Sequence, residues 1–403
     1  MQKIIIAKPY KFIPPRYSAF WTRLIHAWLP THLRKEYGVT SWEFKNVDRL
    51  RASIDAGHGI VLAPNHARPC DPQMLGVLSR EVGRPFHIMA SWHVFMQSRL
   101  QGFLLPRIGG FSVYREGLDR ESLKCATKTV ADAQYPLALF PEGMISRCND
   151  RLLNLMDGVS FLARSAAKQR ASATPAGKVV VHPVFLRYFF EGDLATTIEP
   201  VMREIETRLS WQPQTHLPLR KRVQKVGEAL LMLKEIEYLG APQAGDVAVR
   251  LPRLLDHLLV PLEKEWAAGR SDGDTMARVK RLRSAILPDM VNGGLSEDEK
   301  ARRWRHFGDL YLAQQLICYS GDYLPEGHSP ERMLETVERY EEDLTDVARP
   351  HPPLHVVLSV GEAIEVSPSR DRSSDTDPVT TQLRSQLESM LVESRQYRRN
   401  SHS

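Results

Sequence analysis

Gly59-Ile60-Val61-Leu62-Ala63-Pro64-Asn65-His66-Ala67-Arg68-Pro69-Cys70-Asp71-Pro72 carries an apolar run into a polar loop, and the loop into a helix start. Gly59 to Ala63 reads as a buried strand, because a short uninterrupted apolar run suits a strand covered on both faces. Asp71-Pro72 is a helix-start signal: Asp is a favoured N-cap and Pro fits the first helical position. His66 therefore falls in the loop between strand and helix. Loops at the C-terminal ends of parallel strands are where α/β folds place their sites.

The same alternation continues outward. Strands are expected at 86–90, 111–114, 137–140 and 178–190, and helices at 72–78, 121–133 and 157–168. Apolar strands alternating with helices predict an α/β fold with a mostly parallel central sheet flanked by helices. From about 196 to 350 helix punctuation takes over. Ser296-Glu297-Asp298-Glu299 is a capping box, and Ser329-Pro330 pairs an N-cap with a proline at the first helical position. Apolar periodicity at 226–239, 249–262 and 307–317 predicts an inserted helical subdomain of five or six helices, with no internal repeat expected. One strand returns at 355–360. A flexible connection is expected from Ser367 to Pro378, and a closing helix at 379–395. The resulting division is an N-terminal arm and amphipathic helix (1–44), an α/β core (45–200), a helical insertion (201–350), and a terminal strand and helix completing the core (351–403).

Within the arm, residues 1–15 are expected to be extended. Phe20, Trp21, Leu24, Ile25, Trp28 and Leu29 then recur at helical spacing. Trp21 and Trp28, seven positions apart, share a face. A basic helix with two tryptophans suits a membrane surface, and equally suits docking on the domain's own core.

The 403 residues are 42% hydrophobic and 25% charged, as in ordinary globular proteins. The net charge of +6 favours acidic partners without choosing among them. The basic clusters at Arg220-Lys221-Arg222 and Arg302-Arg303 read as solvated helix faces, and no nucleic-acid motif accompanies them. Four cysteines (Cys70, Cys125, Cys148, Cys318) show no paired spacing, which points to a reducing compartment. No run of 18 apolar residues predicts a spanning helix, and no signal peptide is evident. The expected location is cytoplasmic, peripheral on the inner face of the membrane.

A histidine and a carboxylate five positions apart across a loop can work as a pair. Asp71 would keep one His66 ring nitrogen protonated, leaving the other to accept a proton from a hydroxyl. Asp71 as a mere helix cap is the plainer alternative. A second run, Phe140-Pro141-Glu142-Gly143, closes another apolar strand. A third stretch, Gly109-Gly110-Phe111-Ser112-Val113-Tyr114-Arg115, and a fourth, Val181-His182-Pro183-Val184, stand between and after them. Val360-Gly361-Glu362-Ala363-Ile364 ends the set.

In that order these stretches resemble the HxxxxD, Gly-to-Arg, Pro-Glu-Gly and late-proline motifs of the glycerolipid acyltransferases, the lysophosphatidate acyltransferase-like family. The last stretch resembles their terminal Gly-Glu-Pro-Ile strand, with Ala363 at the proline position. The resemblance covers 45–200 and 354–395. It implies an acyltransferase with His66 as general base and Asp71 orienting it. Asn65, Arg115, Glu142, Gly143 and Arg147 would contact substrate. The donor would be acyl-CoA or an acyl carrier protein, the acceptor a phosphorylated glycerol or lysolipid, and no cofactor or metal would be required. Arg115 would take the acceptor phosphate; a surface ion pair with Glu116 or Asp119 is the plainer alternative. Glu142 would shape the acceptor pocket or, equally, bind backbone amides.

Two departures stand out. The family's Thr-Arg-Ser after Pro-Glu-Gly is Met144-Ile145-Ser146 here, and its frequent Ser after the histidine is Ala67. Arg147 would share a face with position 145 in extended backbone and substitute for the missing arginine. Two other functions are compatible with parts of the sequence: a non-catalytic lipid or acyl-chain binding protein of the same fold, and a metal-dependent hydrolase built on His66, Cys70, Asp71, His87 and His93. The second lacks any HExxH or paired-ligand spacing.

Overall fold

All six residues of Gly59–Pro64 are buried, as expected of a strand with helices on both sides. The structure, a computed structural model, describes residues 5–117, 119–173, 176–319, 321–369 and 376–397. It divides into two compact units.

The first unit is an α/β layer structure built from Phe12–Tyr114, Asp119–Gly192 and the chain from Pro350 onward. Its strands are β1 Val39–Lys45, β2 Gly59–Pro64, β3 His87–Ser91, β4 Gly110–Val113, β5 Leu137–Ala138, β6 Val179–Phe190, β7 Leu354–Val360 and β8 Ile364–Glu365. They form one eight-stranded sheet in the order β1-β7-β6-β2-β5-β3-β4, with β8 also pairing β6. Pairing is parallel throughout except where β7 and β8 meet β6. The central, mostly parallel sheet flanked by helices is thus the architecture that strand–helix alternation predicted.

The helices of this unit are α1 Ala19–Tyr37, α2 Val47–Asp55, α3 Asp71–Glu81, α4 Trp92–Met96, α5 Arg99–Arg107, α6 Arg120–Asp132 and α7 Gly158–Ala171, with a last one at Pro378–Ser394. Strand alternation sorts them. Val61, Ala63, Phe111, Val181 and Phe185 join Val130, Leu162, Ala166, Leu383 and Leu387 in one core. That face is covered by α6, α7 and the last helix. On the opposite face His182 of β6 meets Ser53 of α2, its Nε2 lying 2.9 Å from Ser53 Oγ while Nδ1 lies 3.0 Å from the Gly361 carbonyl. Tyr188 of β6 reaches α3 on that same face.

Two features differ from expectation. β1 was not expected; it straddles the anticipated boundary at residue 44 and pairs in parallel with β7. It is an edge strand, half-buried along most of its length, so its residues carry little apolar alternation to read. β5 stops at Ala138 instead of running to Phe140, because Phe140–Gly143 forms a turn closed by the Gly143 N–H on the Phe140 carbonyl. The expected connection at Ser367–Pro378 lies partly outside the described residues.

The second unit contains Asp193–Arg349 and the short stretch beginning at Arg115. Among the described residues it holds six α-helices: α8 Leu194–Arg208, α9 Leu219–Leu239, α10 Val247–Trp266, α11 Thr275–Asn292, α12 Glu297–Leu316 and α13 Pro330–Thr345. The helix at Pro378–Ser394 is accordingly α14. Ser296 caps α12 by accepting from the Glu299 N–H, and Ser329 caps α13 by accepting from the Arg332 N–H.

No repeat was expected here, yet one device recurs from helix to helix. Arg222 of α9 forks Glu206 of α8 at 2.9 and 2.8 Å. Arg250 of α10 forks Glu235 of α9 at 2.8 and 2.6 Å. Arg278 of α11 forks Glu263 of α10 at 2.7 and 3.0 Å. In each pair the same two guanidinium nitrogens, Nε and Nη2, meet the two carboxylate oxygens, a geometry that fixes orientation as well as charge. The three arginines are equally spaced along the chain.

Candidate active site

Sheet register brings the two opening runs together. β2 and β5 are parallel neighbours with Leu62 beside Ala138. Counting equally onward along both chains places His66 level with Glu142. The structure bears out that register: the His66 N–H donates to Glu142 Oε1 at 2.7 Å, and the Ser146 N–H donates to the His66 carbonyl at 2.7 Å. The Phe140 ring stacks on the His66 imidazole at 4.0 Å between centroids.

Asp71 is fully buried at the start of α3. Its Oδ2 lies 2.9 Å from His66 Nδ1 and accepts the Arg68 N–H at 2.9 Å. Its Oδ1 accepts the Tyr188 hydroxyl at 2.5 Å. An ionised carboxylate only accepts hydrogen bonds, so Nδ1 carries the proton and Nε2 is the basic nitrogen. Burial, then the Asp71 charge, pushes the Tyr188 hydroxyl well above its ordinary range, so it stays a donor. Asp71 is the first residue of α3 and not its N-cap, which is Cys70; three donors converge on its carboxylate, and the one that is an imidazole opens toward solvent, with 14% of its side chain exposed.

Cys70 is a buried, packed thiol in this setting. Burial pushes its thiol up to about 12, and its Sγ lies 3.3 Å from the Tyr188 hydroxyl. A thiol that high remains protonated at neutral pH. Among the described residues, no group of three or more His, Cys, Asp or Glu side chains is gathered to hold a metal ion.

Glu142 is 2% exposed. Its second oxygen accepts the Leu153 N–H at 2.9 Å. Burial raises its carboxyl, and the two backbone donors act against that rise. Glu142 therefore ties the His66 loop to the 140–156 loop, the amide-binding role weighed for it above. Gly143 has φ +71, and a Cβ there would sit 2.6 Å from Met156 Cε. Glycine relieves both the backbone conformation and the crowding.

Asn65 spends its amide on β6. Its Nδ2 donates to the Leu186 carbonyl at 3.2 Å and its Oδ1 accepts the Leu186 N–H at 2.7 Å. Asn149 does the same for Tyr188 at 2.6 and 3.0 Å. β6 continues past the last β2 partner, Val184, and the two asparagine amides stand in for the missing strand. They hold in place the very residue, Tyr188, that braces Asp71. Asn65 is therefore placed to hold backbone first.

The Arg147 backbone is left-handed, φ +55. The reasoning that 145 and 147 share a face required extended backbone and does not apply. Arg115 lies in the helical unit, within electrostatic reach of Glu116 and Arg283.

Sequence reasoning missed Tyr188 and Asn149. The signal was present: Arg187 and Tyr188 interrupt an otherwise apolar run, Val184 to Phe190, that is buried throughout. Polar groups in such a strand must find partners. Arg187 finds Asp150 at 2.5 Å, and Tyr188 finds Asp71.

No curated protein matches this chain. Residues 42–187 match the family model described as Acyltransferase. That span begins in β1, ends in β6 and holds His66, Asp71, Glu142, Asn65 and Asn149, while Tyr188 follows its last residue.

Proposed function

We propose that the protein transfers a fatty acyl group from a thioester donor, acyl-CoA or an acyl carrier protein, to a hydroxyl of a glycerol-phosphate or lysophospholipid acceptor. The observation that carries this reading is the His66 Nδ1 bond to Asp71 at 2.9 Å, made at the end of β2 inside an acyltransferase-family domain. His66 Nε2 takes the acceptor hydroxyl's proton as its oxygen attacks the thioester carbonyl. Asp71 stabilises the imidazolium that forms. When the tetrahedral intermediate collapses, the C–S bond breaks and His66 returns the proton to the leaving thiolate. The atoms balance with two substrates alone, so the step calls for no cofactor or metal. Glu142 and Gly143 serve the acceptor side by holding the His66 loop.

Replacing His66 by Ala should lower acyl transfer by about 10²–10⁴-fold while leaving the unfolding temperature near that of the parent. Labelled acyl-CoA offered with glycerol 3-phosphate, lysophosphatidate and other lysolipids reads both the loss and the acceptor. Full activity in the His66→Ala protein would sink the mechanism.

The membrane belongs to the same reading. Trp21 is half-buried and packs edge-on against Phe103 of α5 at 5.4 Å. The large apolar side chains that α1 presents to solvent are Phe20, Leu24 and Trp28, at 68%, 50% and 49% exposure. Leu100 and Phe103 of α5 are exposed as well. Neither residues 12–35 nor residues 82–114 contain an Asp or Glu. An exposed aromatic stripe in a field without acids suits an anionic lipid surface. No described helix is long and apolar enough to cross a membrane.

A further inference from the structure

Among the described residues of the helical unit, buried arginines mostly meet carboxylates or carbonyls, and Arg283 stands apart with two donors unmet. Arg222 and Arg250, both buried, fork a carboxylate on the preceding helix. Buried Arg303 bonds Glu299, the Ile286 carbonyl and Asp289. Arg283 of α11 is 5% exposed, yet its Nε and Nη2 have no hydrogen-bond partner among the described residues. It sits in the middle of the α11 face that buries Val279, Leu282, Ile286, Leu287 and Met290. A guanidinium stays charged in a protein, and burying it with donors unmet is costly.

Its surroundings make the cost larger. Arg115, from the short stretch that belongs to this unit, lies within electrostatic reach and repels it. Burial and that repulsion bring Arg283 down to about 10, which still leaves it charged at neutral pH. Glu116 offsets part of the pair's charge, but its oxygens do not take the Nε or Nη2 of Arg283. Tyr311 of α12 also lies within electrostatic reach of Arg283. Two cations, one carboxylate and a fork of unmet donors lack one thing: a second anion with several acceptor oxygens.

We propose that Arg283 and Arg115 form an anion-binding pair in the helical unit that takes a phosphate group. Nε and Nη2 of Arg283 present the planar, two-pronged donor set that matches phosphate oxygens. Assigning that phosphate to a substrate rests on the acyl-transfer reading; the presence of an anion site does not. Both substrate classes carry the chemistry, the acceptor on its glycerol phosphate and a CoA donor on its 3′-phosphate.

The test uses the full chain and three probes: inorganic phosphate, glycerol 3-phosphate and adenosine 3′,5′-bisphosphate, with binding read by calorimetry and thermal shift. The parent should bind at least one probe and gain thermal stability from it. Arg283→Met should weaken that binding by at least about tenfold and keep or raise the unfolding temperature without ligand, since it removes an unpaired buried charge. Arg283→Lys should bind with intermediate strength, keeping charge but losing the fork. Glu116→Gln should tighten binding by removing the competing carboxylate.

Glycerol 3-phosphate as the responsive probe assigns the site to the acceptor, and the bisphosphate assigns it to the donor. Response to inorganic phosphate alone supports an anion site and overturns its assignment to a substrate. The proposal as a whole is overturned if no probe binds the parent, if Arg283→Met binds like the parent, or if it only lowers stability. Absence of acyl transfer in the parent would defeat the proposed reaction while leaving the phosphate result intact.

Discussion

His87 opens β3 with both ring nitrogens buried and without hydrogen-bond partners, its ring 4.8 Å from that of Tyr135. Burial lowers it to about 4 from an ordinary 6.5. Between those two values the unfolded chain holds a proton that the folded chain refuses. The neutral ring therefore contributes its full stability above about pH 6.5, and that contribution is lost as the pH falls toward 4. His87→Phe keeps the ring contact and removes the titration. It should shrink the acid-induced loss of stability over that window by about 2–3 kcal/mol, measured by urea unfolding at pH 7 and pH 4. An acid limb identical to the parent's would refute this. His66 and Asp71 were legible as a pair because a loop of four intervening residues is local. Tyr188 was not, because it lies far along the chain from Asp71 and touches it only through the sheet. The same distance hid the amide clamps of Asn65 and Asn149 on β6.

The helices of the insertion announced themselves through caps and apolar periodicity, which are properties of one segment at a time. Their ion-pair forks did not, since nothing in α10 alone says that Arg250 will meet Glu235 of α9. Glu235 is fully buried and Arg250 nearly so. This fork buries both of its charges, so breaking one half should cost more than removing both. Glu235→Gln should destabilise the protein by about 2–4 kcal/mol. Combining Glu235→Leu with Arg250→Met should recover most of that loss. Denaturant unfolding of both variants reads the difference; a double variant as unstable as the single one would show that the fork contributes more than mutual neutralisation. The edge strand β1 illustrates the opposite case. Its pairing with β7 is decided by a segment more than 300 residues away, and its own half-buried sequence carries no strong strand signature.

Charge and apolar exposure over the α/β unit act together on a membrane surface. Replacing Phe20, Leu24 and Trp28 together by Ser should reduce sedimentation with anionic vesicles by at least about tenfold, since each apolar side chain transferred contributes about 1.5–3 kcal/mol. Binding by the parent should fall as salt rises, and transfer to a water-soluble acceptor should persist. Equal binding of parent and variant, or equal binding to neutral vesicles, would count against the docking surface. Trp21 stays out of that variant because it packs on Phe103 and its loss would disturb the domain itself.

By itself the sequence determined the α/β class, the place of His66 and Asp71 at a strand-to-helix loop, and the presence of an all-helical insertion. These follow from periodicity, caps and short spacing, which depend on neighbours along the chain. Only the tertiary structure decided that Glu142 holds the His66 loop through its backbone, that Tyr188 braces Asp71, and that Arg283 is buried with two donors unmet. Each of those depends on sheet register or helix packing between segments distant in sequence, where burial turns a polar side chain into a group that must be satisfied.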